Sequence, residues 1–282
     1  MNKIENYQIG HSSLKGDVFR IEQNISNNPN IEVFFSHRHT FYALYWIHEG
    51  QGIHFIDFKE YEIKPDRLFY VRPEQVHFLN SPSEIKYSAL QFSEEFMLPY
   101  YPIIKDILTN ENISTYKDLN GEEQQRLRIL FDLIYHESTH NLPNSTAILQ
   151  SGINMLMQEL VRMDCQETAK PNIPDVLTKY RTLINEQFLT CRQVKNYAIQ
   201  LGITPNYLNV LAQKHLGESA LSLINNRIIL ETKRLLMSSK DDISVIAYQL
   251  KFNELSYFSR FFKRETGLTP NEFRAEMNKM YQ

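Results

Sequence analysis

The sequence predicts a two-domain protein, with an all-β N-terminal half that ends in a pair of helices and an all-α C-terminal half. Residues 1–100 contain short segments rich in β-branched and aromatic residues, separated by turns at roughly even spacing. Residues 122–163 carry apolar residues at helical spacing, and beyond residue 175 short helical patterns alternate with turn residues. A chain of 282 residues is long enough for two such units, each with its own hydrophobic core.

Charge is distributed unevenly along the chain, although the net value is only −3. Residues 172–282 contain 15 Lys and Arg against 10 Asp and Glu, a net charge of +5. Residues 1–171 contain 15 Lys and Arg against 23 Asp and Glu, a net charge of −8. Because nucleic acids are polyanions, this asymmetry favours the C-terminal part as the half that faces DNA.

Cysteine usage and the apolar runs predict a cytoplasmic protein with no membrane partner. Cys165 and Cys191 are the only cysteines, and they form no CxxC pair or disulfide framework. The first ten residues lack the basic-then-apolar pattern of a signal peptide. The longest uninterrupted apolar run, Phe41 to Ile47, is too short to span a bilayer.

Four segments of the N-terminal half have the composition of strands. They are separated by Gly-Gln-Gly, Lys-Pro-Asp and Arg-Pro-Glu turns, which favours an antiparallel sandwich or barrel. The predicted strands are Glu32–Phe35, Phe41–His48, Gly52–Phe58 and Arg67–Arg72.

Three histidines mark a candidate ligand site in this half. His37 and His39 form an HxH pair, and His77 ends a Pro-x-x-x-His motif further along. This arrangement resembles the cupin pattern, a small jelly-roll barrel whose histidines point inward. Strand alternation places every second residue from His37 to Glu49 on one face. The candidate ligand-binding residues are therefore His37, His39, Tyr45, Glu49 and His77.

The role of these histidines stays open between three hypotheses. Metal-binding cupins carry a Glu a few residues after the HxH pair, but here Thr40, Phe41, Tyr42, Ala43 and Leu44 follow. A three-histidine iron or zinc site is weakened by that absence, and we assign no metal and no cofactor. The alternatives are an organic effector held by the same side chains, or histidines that only close the barrel.

The second helix of the 122–163 pair has a 4-3-4-3 apolar seam, as in a coiled coil. The seam could pack on the β domain or form a dimer contact with a second copy of the chain. Its residues are Leu149, Ile153, Leu156, Leu160 and Met163.

The first helix of the pair ends in an HExxH sequence, His136 to His140. In zinc proteases this motif binds metal from one helical face while the Glu activates water. Pro143 follows closely, however, so the second histidine falls on the end of the helix. A metalloenzyme therefore remains only a rival hypothesis, and we expect no enzyme.

A polar segment with two prolines, residues 164–174, predicts a linker between residues 1–163 and a C-terminal domain of residues 175–282. The first helix-turn-helix unit is expected at about residues 190–216. Ala198 lets two helices approach, and Gly202 suits a left-handed turn. Polar or exposed positions of its second helix are expected to contact bases. These are Asn206, Asn209, Val210 and Gln213.

The second unit, at about residues 243–266, repeats this pattern with Ala247 as the small contact residue and Phe252 in the core. Phenylalanines at helical spacing alternate with hydroxyls and cations, which predicts a core face and a DNA face. The expected DNA contacts are Lys251, Ser256, Ser259, Arg260, Lys263 and Arg264.

Two further patterns predict helix starts and spacing. Thr204-Pro205 and the capping box Thr269-Pro270-Asn271-Glu272 each begin a helix. Ser219 to Leu236 predicts a helix of roughly 27 Å, a length that suits two recognition helices about one turn of DNA apart.

The stretch Ile243–Arg274, ISVIAYQLKFNELSYFSRFFKRETGLTPNEFR, resembles the signature of the AraC/XylS family of bacterial transcription regulators. The resemblance implies a cupin-like jelly roll with an α-helical dimerisation pair, followed by a tandem helix-turn-helix domain. It also implies a homodimer that binds two adjacent major grooves of double-stranded DNA, a small-molecule effector, RNA polymerase as a partner, and activation of transcription. A DNA-binding regulator that works without an effector is the alternative. Lys251 departs from the family, which has Gly there, and Glu49 replaces the residue that touches arabinose in the arabinose-responsive member.

Overall fold

The computed structural model of the chain describes residues 6–7, 19–27, 37–108, 113–140, 142–166 and 173–280. It divides into two compact units, Asn2–Thr168 and Ala169–Gln282. The strand predicted at Glu32–Phe35 and most of the predicted linker lie outside the described residues.

The N-terminal unit is built on two antiparallel sheets, as the strand spacing predicts. One sheet has five strands in the order β10-β7-β4-β9-β2, and the other has three in the order β6-β5-β8. A short parallel pair joins β1 to β3. The strands are β1 Asn6–Tyr7, β2 Phe19–Asn27, β3 Arg38–His39, β4 Tyr42–Glu49, β5 Gly52–Ile56, β6 Lys59–Ile63, β7 Arg67–Val71, β8 His77–Asn80, β9 Ile85–Phe92 and β10 Tyr116–Asp118.

The five-stranded sheet buries both of its faces. Along β4, Ala43 and Ile47 point into a core shared with the three-stranded sheet, which contributes residues such as Ile56. Leu44 and Trp46 point to the opposite face, where the helices of the same unit pack. The alternation of side chains in a strand thus assigns successive residues of β4 to two separate cores.

Three helices, α1 Tyr101–Leu108, α2 Gly121–His140 and α3 Ser145–Gln166, belong to the N-terminal unit. Of the two hypotheses for the α3 seam, packing within the unit is the one that the structure shows, because the seam lies in the core against α2 and the sheet. The other hypothesis, a dimer contact through this seam, is contradicted, since none of the five side chains is more than 6% exposed. Gly152 permits the close approach of α2, since a Cβ there would lie 2.8 Å from Ile134. The buried residues are Leu149, Ile153, Leu156, Leu160 and Met163.

The C-terminal unit is helical throughout its described part. Its central helix α7 is 19 residues long, about 28 Å at 1.5 Å per residue, close to the predicted strut. The helices are α4 Asp175–Gln187, α5 Val194–Gln200, α6 Pro205–Leu216, α7 Ala220–Ser238, α8 Ile243–Gln249, α9 Leu255–Thr266 and α10 Pro270–Met280.

Both predicted helix starts are confirmed by their hydrogen bonds. Thr204 Oγ1 accepts the Tyr207 N–H at 3.2 Å, with Pro205 as the first residue of α6. At the start of α10, Glu272 Oε2 accepts the Thr269 N–H at 2.7 Å, and Thr269 Oγ1 accepts the Glu272 N–H at 3.3 Å. Reciprocal bonds of this kind define a capping box.

Candidate functional site

The first helix-turn-helix unit consists of α5 and α6, joined by a tight turn. Ala198 is fully buried where the two helices meet. The Ile203 N–H donates to the Ala198 carbonyl at 3.0 Å, and Gly202 adopts a left-handed φ of 68°. Glycine has no Cβ and adopts this conformation without steric cost. The small residue and the glycine thus have the roles that the sequence predicts.

The second unit, α8 and α9, repeats the turn with a different residue. The Phe252 N–H donates to the Ala247 carbonyl at 2.9 Å, and Lys251 is left-handed with a φ of 60°. The linking segment after α8 is one residue longer than that after α5, since residues 250–254 separate these helices and residues 201–204 separate the first pair. The backbone of the turn is conserved between the units although the glycine is not.

Helix α9 presents a cationic surface on a well-packed base. Phe258, Phe261 and Phe262 are buried, whereas Ser256 and Arg260 are exposed. Within the described part of the chain, Arg260 forms no hydrogen bond and no ion pair. Its guanidinium is therefore available for phosphate or a guanine edge.

The neighbouring polar residues of α9 differ in their availability. Lys263 is exposed and Ser259 is half-buried. Arg264 is held on the helix surface, since its Nη2 donates to Glu265 Oε1 at 2.6 Å and its guanidinium lies 5.4 Å from the Phe261 ring. Arg264 is accordingly less free to contact DNA than Arg260.

Helix α6 is less cationic, and two of its predicted contacts are engaged within the protein. Asn209 Oδ1 accepts the Ala220 N–H at 3.1 Å and so caps the start of α7. Gln213 Nε2 donates to the carbonyl of Gly217 at 3.2 Å. A bidentate adenine contact needs both the oxygen and the nitrogen of an amide, and the Asn209 oxygen is occupied. Asn206 and Val210 remain exposed.

Two tyrosines that no sequence motif singled out occupy the third position of the two recognition helices. Tyr207 in α6 is 52% exposed and Tyr257 in α9 is 53% exposed. The detectable pattern was the repeat of Asn/Ser-Tyr-Leu/Phe-Asn/Ser, present as residues 206–209 and 256–259. Such exposed aromatic residues at matching positions belong to the same surface as the predicted contacts.

Arg192 connects the two helix-turn-helix units. It precedes α5, but its Nη2 donates to the carbonyl of Leu250 at the end of α8. Its guanidinium also lies 4.0 Å from the ring centroid of Phe252. A cation at the carbonyl end of a helix is favourable, and the ring adds a cation–π contact. One side chain of the first unit therefore holds the turn of the second.

In the N-terminal unit, four histidines gather between the two sheets. The ring of His77 lies 4.2 Å from that of His37, 4.9 Å from that of His39 and 5.3 Å from that of His54. All four residues are buried. Tyr45 is also close, with its ring 6.0 Å from that of His77. The predicted HxH and Pro-x-x-x-His residues are thus brought together.

Burial lowers the pKa values of three of these histidines, His39, His54 and His77. Desolvation, with the nearby His37 as a second cause, lowers the pKa of His39 to about 3 and the pKa of His54 to about 3. The same causes hold the pKa of His77 well below 6.5. Burial also raises the pKa of the Tyr45 hydroxyl, so the phenol stays protonated.

Hydrogen bonding decides what this cluster can offer a ligand. A carbonyl can only accept, so His39 Nδ1 must donate to the Phe41 carbonyl at 2.8 Å, which leaves Nε2 as an acceptor. His54 Nε2 and His77 Nδ1 are 3.1 Å apart, and whichever donates, the outer nitrogens of the pair are one donor and one acceptor. Within the described residues, these three outer nitrogens are buried without a partner. Two acceptors and one donor therefore face the interior.

Two sequence assignments in the barrel need revision. The prediction that Glu49 lines the interior is wrong, because the β4–β9 register shifts between Ile47 and Glu49. Glu49 is exposed and pairs with Lys86 at 2.8 Å. His54 belongs to the cluster but was missed, since it stands alone in β5 outside any histidine motif.

The rival metal hypotheses find no support in the geometry. Among the residues that the structure describes, no three His, Cys, Asp or Glu side chains are arranged to hold a metal ion. In the HExxH segment, Glu137 is buried, whereas His136 and His140 are exposed and stack at 3.9 Å. The His140 Nδ1 donates to the His136 carbonyl at 2.7 Å, which occupies that nitrogen. Also within this part of the chain, no helix is both long and apolar enough to cross a membrane.

The paired helix-turn-helix units and the double-sheet barrel define a DNA-binding transcription regulator with a ligand-binding domain. A model of the AraC-like ligand binding domain matches residues 21–150, and a helix-turn-helix domain model matches residues 197–276. The chain belongs to the AraC family of transcription regulators.

Three proteins align with most of this chain at low identity. The transcriptional activator RhaR of Cronobacter sakazakii is 25% identical over 254 residues, which cover 86% of this chain and 88% of the relative. The transcriptional activator RhaS of Yersinia pestis is 20% identical over 249 residues, covering 86% and 90%. The solved structure of ToxT from Vibrio cholerae is 17% identical and covers 91% of this chain and 98% of that chain, with a TM-score of 0.46.

Proposed function

We propose that the protein activates transcription by inserting α6 and α9 into two adjacent major grooves of double-stranded DNA. This proposal rests mainly on the exposed cationic face of α9, where Arg260 has no partner among the described residues. Arg260 is assigned to a guanine or a phosphate, and Lys263 and Lys251 to phosphates. Ser256 and Ser259 lie beside Arg260 as further polar contacts, while Arg264 contributes to the local positive charge.

For the first unit, we assign base contacts to Asn206 and Val210, with Tyr207 beside them. All three side chains are exposed on α6. Gln213 joins them if its bond to the Gly217 carbonyl opens on DNA binding. Asn209 acts instead through the start of α7, because its oxygen holds the Ala220 N–H. Fewer cations on α6 than on α9 make the second unit the stronger contributor to phosphate binding.

The effector is assigned to the barrel, at His37, His39, Tyr45 and His77, with His54 added. The unpartnered nitrogens provide two acceptors and one donor, and their low pKa values keep them uncharged. Leaving buried polar atoms unsatisfied is costly, so a ligand that supplies their partners would bind favourably. This chemistry suits an uncharged molecule that carries hydroxyl groups.

A homodimer is proposed through the outer face of α2 and α3 rather than through the buried seam. Ile129 is 62% exposed, and Leu133 one turn later is also exposed. Ile148 and Met155 are large apolar residues exposed on α3. Exposed apolar residues on neighbouring helices are typical of interaction surfaces. RNA polymerase is the further partner that activation requires, and the cytoplasm is the compartment where both partners occur.

Selection of genomic DNA fragments by the purified full-length protein tests this function. At about 150 mM salt, weak non-specific phosphate binding is partly suppressed. We expect enrichment of a few sites of about 20 base pairs, the length of two successive helical turns. Failure to enrich any fragment, with and without candidate effectors, would contradict the proposal.

A further inference from the structure

A cavity lies outside the barrel, between the five-stranded sheet and α2. Its volume is about 230 Å³. Strands β2, β4 and β9 form the floor, and α2 forms a wall. Trp46 lines it from the face of β4 opposite to the histidine cluster, so the cavity is separate from the barrel interior.

The floor of this cavity is shaped by an irregularity of β2. The pairing of β2 with β9 shifts between Glu22 and Ile25, and Asn24 there adopts a positive φ of 51°. As a result the Asn24 N–H donates to Ser88 Oγ at 3.2 Å, and His48 Nε2 lies 2.7 Å from the same hydroxyl. Bulges of this kind often occur beside functional sites, where they redirect side chains. The floor is consequently polar and fixed.

One residue that lines the cavity, Trp46, has a buried donor without an acceptor. Trp46 is only 2% exposed, and its indole N–H makes no hydrogen bond within the described residues. The Arg128 guanidinium lies over the same ring, 5.8 Å from its centroid. In that part of the chain Arg128 forms no ion pair. Two hydrogen-bond donors, one of them cationic, are therefore left for a ligand.

The two carboxylates that line the cavity differ in their hydrogen bonds. The Asp132 carboxylate accepts a hydrogen bond from Gln23 at 3.0 Å. The Asp66 side chain also lines the cavity, but it accepts no hydrogen bond from the described residues. His48 is neutral at physiological pH, because burial and the Arg128 charge lower its pKa. The site thus combines two donors without an acceptor, the Arg128 guanidinium and the Trp46 N–H, with the Asp66 carboxylate, which accepts no hydrogen bond from the described residues.

We infer that this cavity binds a small organic acid that carries an α-hydroxyl or α-amino group. Its carboxylate would accept from Arg128 and Trp46, since charge-assisted bonds of this type are strong. Its hydroxyl or amine would donate to Asp66. A volume of about 230 Å³ is below the range of about 300–1,000 Å³ typical of drug-sized ligands, which restricts the ligand to a few carbon atoms.

The test is direct because the single tryptophan of the chain, Trp46, lines this cavity, so that its emission responds to a ligand bound there. The full-length protein is titrated with L-lactate and L-serine, and with glycerol as a neutral control. We expect a saturable change with at least one of the two acids and none with glycerol. Arg128→Gln should weaken binding about tenfold or more, whereas the matched surface variant Arg162→Gln should bind as the wild type does.

A second measurement separates binding from a change in fluorescence alone. Calorimetry with Trp46→Phe, which keeps a ring but removes the N–H, should give a several-fold weaker affinity than the wild type. If neither acid binds at concentrations up to about 10 mM, tenfold above a 1 mM dissociation constant, the inference is overturned. Equal binding to Arg128→Gln, or a response to glycerol alone, would overturn it as well.

Discussion

Gly202 and Lys251 occupy the same backbone position in the two helix-turn-helix turns. Each follows a buried alanine by four residues, and each is left-handed, with φ values of 68° and 60°. In both turns the next residue donates its N–H to the carbonyl of that alanine. The hydrogen bonds of the turn, rather than the side chain, thus determine the backbone conformation. In the second unit a lysine is held in a left-handed conformation that is unfavourable for it.

Lys251→Gly should stabilise the C-terminal unit. The left-handed conformation costs a non-glycine residue about 1–2 kcal/mol, and the flexibility of glycine in the unfolded chain offsets part of that gain. We expect a net gain of about 0.5–1 kcal/mol in the free energy of unfolding. Urea denaturation followed by circular dichroism measures it, while Trp46 emission monitors the N-terminal unit as an internal control.

Gly202→Lys is the reciprocal substitution. A Cβ at Gly202 would meet no atom within 4 Å, so only the backbone conformation opposes the lysine. We expect a loss of about 1 kcal/mol, measured in the same way. If Gly202→Lys were neutral, the two turns would not share the strain that their φ values indicate.

Arg192→Ala should destabilise the second unit more than the first. It removes a charged hydrogen bond to the Leu250 carbonyl and the cation–π contact with Phe252. A loss of about 1–3 kcal/mol is expected, with Arg192→Lys intermediate. Hydrogen exchange should show faster opening of amides in α8 and α9 than in α5 and α6. Uniform loss of protection across the unit would contradict a role at this junction.

Acid should destabilise the N-terminal unit before the C-terminal one. His39 and His54 have folded pKa values of about 3, below the unfolded value of 6.5. The unfolded chain therefore binds more protons between these values, and stability present above pH 6.5 is lost as the pH falls toward 3. Each such histidine contributes a slope of up to about 1.4 kcal/mol per pH unit.

The variant His54→Phe tests the contribution of one of these histidines. It keeps a ring in the core and removes a group that protonates in the unfolded state. The urea midpoint from Trp46 emission, measured from pH 7 to 5, should then depend less steeply on pH than in the wild type. An unchanged slope would show that His54 does not titrate on unfolding.

Leu156→Ala and Leu133→Ser should separate the core from the proposed dimer face. Leu156 is fully buried, so its truncation should cost about 2–5 kcal/mol of stability. Leu133 is exposed, so its replacement by Ser should leave stability unchanged within about 0.5 kcal/mol and weaken self-association. Sedimentation velocity measures the association. If the dimer dissociated in Leu156→Ala with its fold intact, but not in Leu133→Ser, the assignment of the dimer contact to the outer face of α2 and α3 would be contradicted.

The sequence predicted those features that depend on local chemistry. The fold class and the caps at Thr204 and Thr269 are confirmed, because each rests on a hydrogen bond or periodicity between near neighbours. For the α3 seam, a dimer contact was one of two hypotheses and is contradicted, since apolar spacing shows that a face is buried but not what buries it. Glu49 was misplaced because period-two alternation cannot foresee a register shift.

Long-range relationships had no sequence signature. His54 joins the histidine cluster only because β5 pairs with β8, which brings it beside His77. The bond from Arg192 to Leu250 spans 58 residues. The cavity at Trp46 depends on a bulge in β2 and on how α2 packs. Such contacts depend on the assembled fold, whereas the predicted DNA contacts follow from the helical period alone.

Footprinting on a selected DNA site tests the central claim most directly, with the wild type, Arg260→Ala and the surface control Lys279→Ala. Two protected segments about 10 base pairs apart are expected, one for each recognition helix. Arg260→Ala should weaken binding by about 1–3 kcal/mol and lose protection first in one segment, while Lys279→Ala behaves as the wild type. A single protected segment, or equal behaviour of Arg260→Ala and Lys279→Ala, would contradict DNA recognition by both units.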